Sequence, residues 1–149
     1  MRNCIASASA ALFVSVALFC QTSVAATTLI NVQLQDPTTN AALPSMRLVL
    51  DRDTVTAGRV TFRAVNQSTS QVHELIVVRT ESGQAALPYD DKQAKVVEKR
   101  IHRLGEIADL KPAASGSMTL NLKPGSYVLI CNQPGHYKAG MTAALSVTK

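Results

Sequence analysis

From residue 27 onward, apolar side chains recur at every second position. Ile30, Val32 and Leu34 alternate with polar neighbours, as do Met46, Leu48 and Leu50. Val60, Phe62 and Ala64 follow the same rule, then Met118, Leu120 and Leu122, and finally Met141, Ala143, Leu145 and Val147. Successive side chains of an extended chain point to opposite faces, so this alternation demands strands with one face buried and one wet. The turn sequences "TAG", "NQS" and "KPG" separate the runs. Two runs, "LIVV" at 75–78 and "YVLI" at 127–130, are apolar on both faces and read as central strands. Many short strands within one domain's length predict an all-β sandwich or barrel.

The segment 81–114 departs from this pattern and is long for a connection. Within it "DDKQAKVVEKRIHRLGEI" spaces Val97, Ile101 and Leu104 at helical intervals, with Asp90 or Asp91 as N-cap and Gly105 as stop. The spacing predicts a short helical insertion around residues 90–105, laid against the sandwich; an irregular flap is the alternative. His102, among Lys99, Arg100 and Arg103, reads as a solvated side chain.

At the N-terminus Arg2 precedes an apolar and small-residue stretch over 5–19 and the small-residue pattern Ser23-Val24-Ala25. This reads as a secretory signal over 1–25, leaving a single domain over 26–149. Interrupting serines weigh against a transmembrane anchor, and bulky Phe19 weighs against lipid attachment at Cys20. Export predicts a periplasmic protein with no stable membrane insertion once the signal is removed. Cys4 and Cys20 leave with the signal, so Cys131 remains alone in an oxidising compartment. Such a cysteine is paired between chains, reactive, or occupied by a metal. The formal net charge of +5 is spread along the chain, without a basic stripe interleaved with aromatics, which excludes a nucleic-acid binder. A moderately basic surface suits an acidic partner.

In "YVLICNQPGHYKAGMTAAL", Cys131, His136 and Met141 are separated by four residues each. Cys131 shares a strand face with Tyr127 and Leu129. Pro134-Gly135 turns the chain back, and Met141 opens the last strand on its apolar face. A fourth donor comes from elsewhere: His73 begins a central strand and shares a face with Leu75 and Val77. Taken singly, a buried thiol, a core histidine and a core methionine are ordinary packing. Together, two imidazoles and a thiolate with a weak thioether form a site suited to copper in electron transfer.

The C-x4-H-x4-M loop with an upstream histidine resembles the cupredoxins, the small blue copper proteins. The likeness is closer to the bacterial periplasmic plastocyanin/azurin-like copper-binding proteins, through "HELIVVRT" and "CNQPGHYKAGM". It extends to "DRDTVTAGRVTFRAVNQS", "LPYD" and "LGEI". The resemblance implies a Greek-key β-sandwich holding one mononuclear type 1 copper ion on His73, Cys131, His136 and Met141. It implies a monomeric electron carrier, not an enzyme, that meets a redox partner such as a cytochrome or an oxidase, for which the basic surface predicts an acidic docking face. The second reading is a protein for copper resistance, storage or delivery. One departure concerns the place after the first histidine, where the better-known members carry Asn and this chain has Glu74. Asn66 is then the candidate for steadying the ligand loops, or simply a turn residue in "NQS".

Overall fold

The computed structural model describes residues 26–36, 46–81 and 86–149; the expected signal over 1–25 lies outside them. The strands are β1 (Thr28–Gln35), β2 (Arg47–Leu50), β3 (Thr54–Thr56), β4 (Gly58–Asn66), β5 (His73–Thr80), β6 (Tyr89–Asp90), β7 (Lys95–Val96), β8 (His102–Leu110), β9 (Ser115–Leu122), β10 (Gly125–Ile130) and β11 (Thr142–Thr148). They form a four-stranded sheet, β2-β1-β4-β9, facing a five-stranded sheet, β3-β11-β10-β5-β8. The pairings β1–β4 and β3–β11 are parallel, and the others are antiparallel. This is the expected β-sandwich.

Period-two alternation becomes a core where the two inner faces meet. Ile30, Val32, Leu34, Val60, Phe62 and Ala64 from the first sheet pack against Leu75, Val77, Tyr127, Leu129 and Leu145 from the second. The Tyr127 hydroxyl donates to the Lys123 carbonyl (2.6 Å), so the aromatic ring fills the core while its polar end closes the turn before β10.

The expected central strands β5 and β10 are interior in their sheet, and their outer faces are also covered. Ile76, Val78, Val128 and Ile130 build a second apolar cluster with Val96, against which Leu87, Tyr89, Ile101 and Tyr137 pack. The cover is the two-stranded hairpin β6–β7, followed by a 3-10 turn at Glu98–Arg100. The helical insertion expected around 90–105 therefore reduces to that one turn, and His102–Leu110 is a strand.

Val97, Ile101 and Leu104, spaced as on one helix face, do not share a face: Val97 and Ile101 flank the 3-10 turn, Ile101 packs on the outer cluster and Leu104 on the main core. Beyond them the β5–β8 ladder shifts register between Val77 and Val78 and again between His73 and Leu75. Each shift adds a residue to β8. Leu104, Ile107 and Leu110, which all face the main core, thus fall three residues apart instead of two. A doubly bulged strand imitates helical spacing. Gly105, expected as a helix stop, lies within β8 opposite Val77.

Candidate metal centre

Cys131 directly follows β10 and continues the inward alternation of Tyr127 and Leu129; it is fully buried and makes no disulfide. The loop to β11 returns sharply. His136 N–H donates to the Gln133 carbonyl (3.0 Å) and Met141 N–H to the His136 carbonyl (3.0 Å), while Cys131 N–H donates to the Met141 carbonyl (3.1 Å). Three of the four expected ligands are thus tied together through their own backbone. Gly135 (φ +85°) and Gly140 (φ +91°) supply the left-handed conformations these turns need, which a side chain would strain.

His73, the first residue of β5, arrives from the neighbouring strand with its side chain fully buried. Its Nδ1 lies 3.2 Å from His136 Nδ1 and 3.8 Å from Cys131 Sγ, and Cys131 Sγ lies 3.4 Å from His136 Nδ1. A point about 2 Å from all three atoms exists within this triangle, close to the length of a metal bond to imidazole nitrogen or thiolate sulfur. Met141 is fully buried in the same core cluster as Cys131. Among the described residues this is the one cluster of at least three His, Cys, Asp or Glu donors able to hold a metal ion.

The protonation states suit a cation. His73 Nε2 lies 2.8 Å from Asp36 Oδ1, so the ring proton sits on Nε2 and Nδ1 presents a lone pair. Burial, reinforced by the neighbouring His73, holds His136 below its ordinary 6.5, leaving it a neutral donor at pH 7. The two facing Nδ1 atoms, 3.2 Å apart, are satisfied either by a proton on His136 Nδ1 or by a cation shared between two lone pairs. Burial also pushes the Cys131 thiol up to about 11, which the Glu74 N–H donated to its sulfur (3.4 Å) offsets only in part. A thiolate here at neutral pH therefore requires a positive ion beside it.

Three surrounding residues complete the picture. Asn66 is fully buried and serves both roles considered for it. Its Oδ1 accepts the Ser68 N–H (2.9 Å), while Nδ2 donates to the carbonyls of Gln71 and Leu110 (2.8 Å each), bracing the approach to His73. Glu74 is buried with Oε1 lacking a partner, and desolvation, with repulsion from Glu106, lifts its carboxyl from 4.5 to about 7.

Asn132, beside Cys131, was not singled out by sequence. Its Oδ1 accepts the Val96 N–H (2.6 Å), and Nδ2 donates to the Val96 carbonyl (3.1 Å) and Glu98 Oε1 (3.0 Å). The side-chain amide thus pairs with β7 as another strand would. A polar residue just past a strand signals only a turn. Asp36 was likewise missed, since a carboxylate at the end of an alternating strand reads as solvated. His102 is exposed, as expected, although on a strand. Lys138 pairs with Asp91 and stands over the Tyr89 ring, so it adds little free positive charge beside the loop.

A two-sheet sandwich with this strand order, its His, Cys and His donors gathered between the start of β5 and the loop joining β10 to β11, has the cupredoxin fold. Similar solved structures include dithionite-reduced auracyanin from the photosynthetic bacterium Roseiflexus castenholzii (TM-score 0.57, 24% identity, 83% of this chain and 97% of that chain). Auracyanin B (TM-score 0.57, 26% identity, 82% and 89% covered) and rusticyanin from Thiobacillus ferrooxidans (TM-score 0.60, 16% identity, 82% and 77% covered) are similar too. Rusticyanin is a copper protein. The sequence itself matches no protein-family model and no curated protein. Among the described residues, no helix is long and apolar enough to cross a membrane.

Proposed function

We propose that this chain is a periplasmic blue copper protein that carries single electrons, and that His73, Cys131 and His136, with Met141 as a weak fourth donor, would hold its one type 1 ion. The observation that carries the reading is the convergence of two imidazole Nδ1 atoms and one buried sulfur on a common point. When bound, copper supplies the Cu(II)/Cu(I) couple, with sulfur favouring the reduced ion and imidazole accepting the oxidised one.

The chain supplies rigidity. His73 starts a strand paired on both sides, and the remaining donors lie in a loop closed by its own hydrogen bonds. Donors held this way cannot reorganise far between oxidation states. His136, at 8% exposure, is the donor nearest the surface and the natural edge for transfer to a partner. Full burial of His73 and Cys131 favours a carrier over a delivery protein, which must release its ion to another chain.

An absorption spectrum after copper addition tests the reading. Oxidised protein is expected to show an intense visible thiolate-to-copper charge-transfer band, and Cys131→Ser to lose it. A Cys131→Ser variant that stays coloured would refute the ligand set.

A further inference from the structure

His73 has two ring nitrogens, and the second one is engaged as deliberately as the first. Its Nε2 meets Asp36 Oδ1 at 2.8 Å, while the His73 side chain is 0% exposed and that of Asp36 is 24% exposed. Asp36 comes from the opposite sheet. Strand β1 runs parallel to β4, with Leu34 registered against Asn66 and the Leu34 carbonyl accepting the Gln67 N–H (2.9 Å). The chain therefore leaves β1 at the end of the sandwich where the donors gather, and the next carboxylate reaches across to the buried imidazole.

We propose that Asp36 is a positioning residue that fixes the ligating tautomer of His73 and holds the reduction potential of the copper site down. The inference rests on the copper reading above. A carboxylate accepting the Nε2 proton does two things to the ring. It keeps the proton off Nδ1, so the nitrogen facing Cys131 and His136 is the one with the lone pair. It also draws that proton outward, which makes Nδ1 a stronger donor. A stronger nitrogen donor and a nearby negative charge both favour the more highly charged ion, Cu(II), over Cu(I). A solvated strand-end carboxylate would have none of these consequences, since it would leave a buried N–H without its acceptor.

Two variants separate charge from contact. Asp36→Asn keeps an oxygen acceptor for Nε2–H but removes the charge; Asp36→Ala removes both. Both are expected to keep the charge-transfer band of copper-loaded protein. Asp36→Asn is expected to lose about tenfold more affinity for Cu(II) than for Cu(I), a rise in potential of about 59 mV for a one-electron couple. In metal-free protein, 15N NMR is expected to find the His73 proton on Nε2 in wild type and Asp36→Asn, and shared between the nitrogens in Asp36→Ala. An Asp36→Asn potential equal to wild type overturns the tuning role, and a wild-type proton on Nδ1 overturns the tautomer role. Wild-type protein that gains no charge-transfer band with copper would instead refute the copper reading, and the NMR measurement stands without it.

Discussion

Truncating Asn132 to Ala removes three hydrogen bonds that join the ligand loop to the covering hairpin. The partners lose unequally. Glu98 is 38% exposed at its side chain and already pairs with Arg103 (3.1 Å), so it turns to water and arginine at little cost. Val96 is 3% exposed, and its N–H and carbonyl both lose the amide that paired them. A buried backbone group left unpaired costs about 1–3 kcal/mol, so two such groups set a range of about 2–6 kcal/mol. The hairpin can limit this by peeling from β5 and β10, which wets Val96, Leu87 and Tyr89 instead. The lower end of that range, about 2–3 kcal/mol, is the expected loss. Urea unfolding of wild type and Asn132→Ala measures it, and native-state amide exchange locates it: residues 86–100 should lose protection while β4 and β9 keep theirs. A loss under about 1 kcal/mol with hairpin amides still protected would mean that apolar contacts alone hold the cover, and that the Asn132 amide is incidental.

The remaining predictions concern the buried Glu74 carboxyl and the proposed donor Met141. The Glu74 carboxyl binds its proton more tightly in the folded chain, at about 7 against 4.5. Its contribution to stability is therefore complete below pH 4.5 and is lost as pH rises through 7, up to roughly 3 kcal/mol. Glu74→Gln should flatten that slope and be more stable than wild type at pH 8; unfolding curves at pH 5 and 8 that shift in parallel for both proteins would refute it. Met141→Leu conserves volume in a fully buried site, so stability should change by less than about 1.5 kcal/mol. Copper should be retained while the potential rises, because a lost donor destabilises Cu(II) more than Cu(I). An unchanged potential in voltammetry would count against Met141 as a donor.

Alternation made the sandwich legible from the chain alone, because the face a strand residue occupies depends only on its parity along that strand. The same local logic singled out the loop whose three expected donors lie within eleven residues and are joined by hydrogen bonds inside the loop. His73 was readable because it opens a run apolar on both faces. That run also announced that something must cover its outer side. What covers it was not readable, since Val97, Ile101 and Leu104 keep helical intervals along the chain although Ile101 packs on the outer cluster and Leu104 on the main core.

The residues around the donors were hidden for a different reason. Asp36 and His73 are 37 positions apart, and Asn132 and Val96 are 36 apart. No periodicity links them; their meeting depends on where two sheets and a hairpin come to rest. By itself, then, the sequence determined which residues face inward and which candidate donors share a loop, because both follow from short-range geometry. Only the tertiary structure decided which buried polar atoms find partners: Asp36 with His73, Asn132 with Val96, and Glu74 Oε1 with none. Hydrogen bonding depends on atoms brought within about 3 Å of each other, and the order of residues along a chain does not specify such distances.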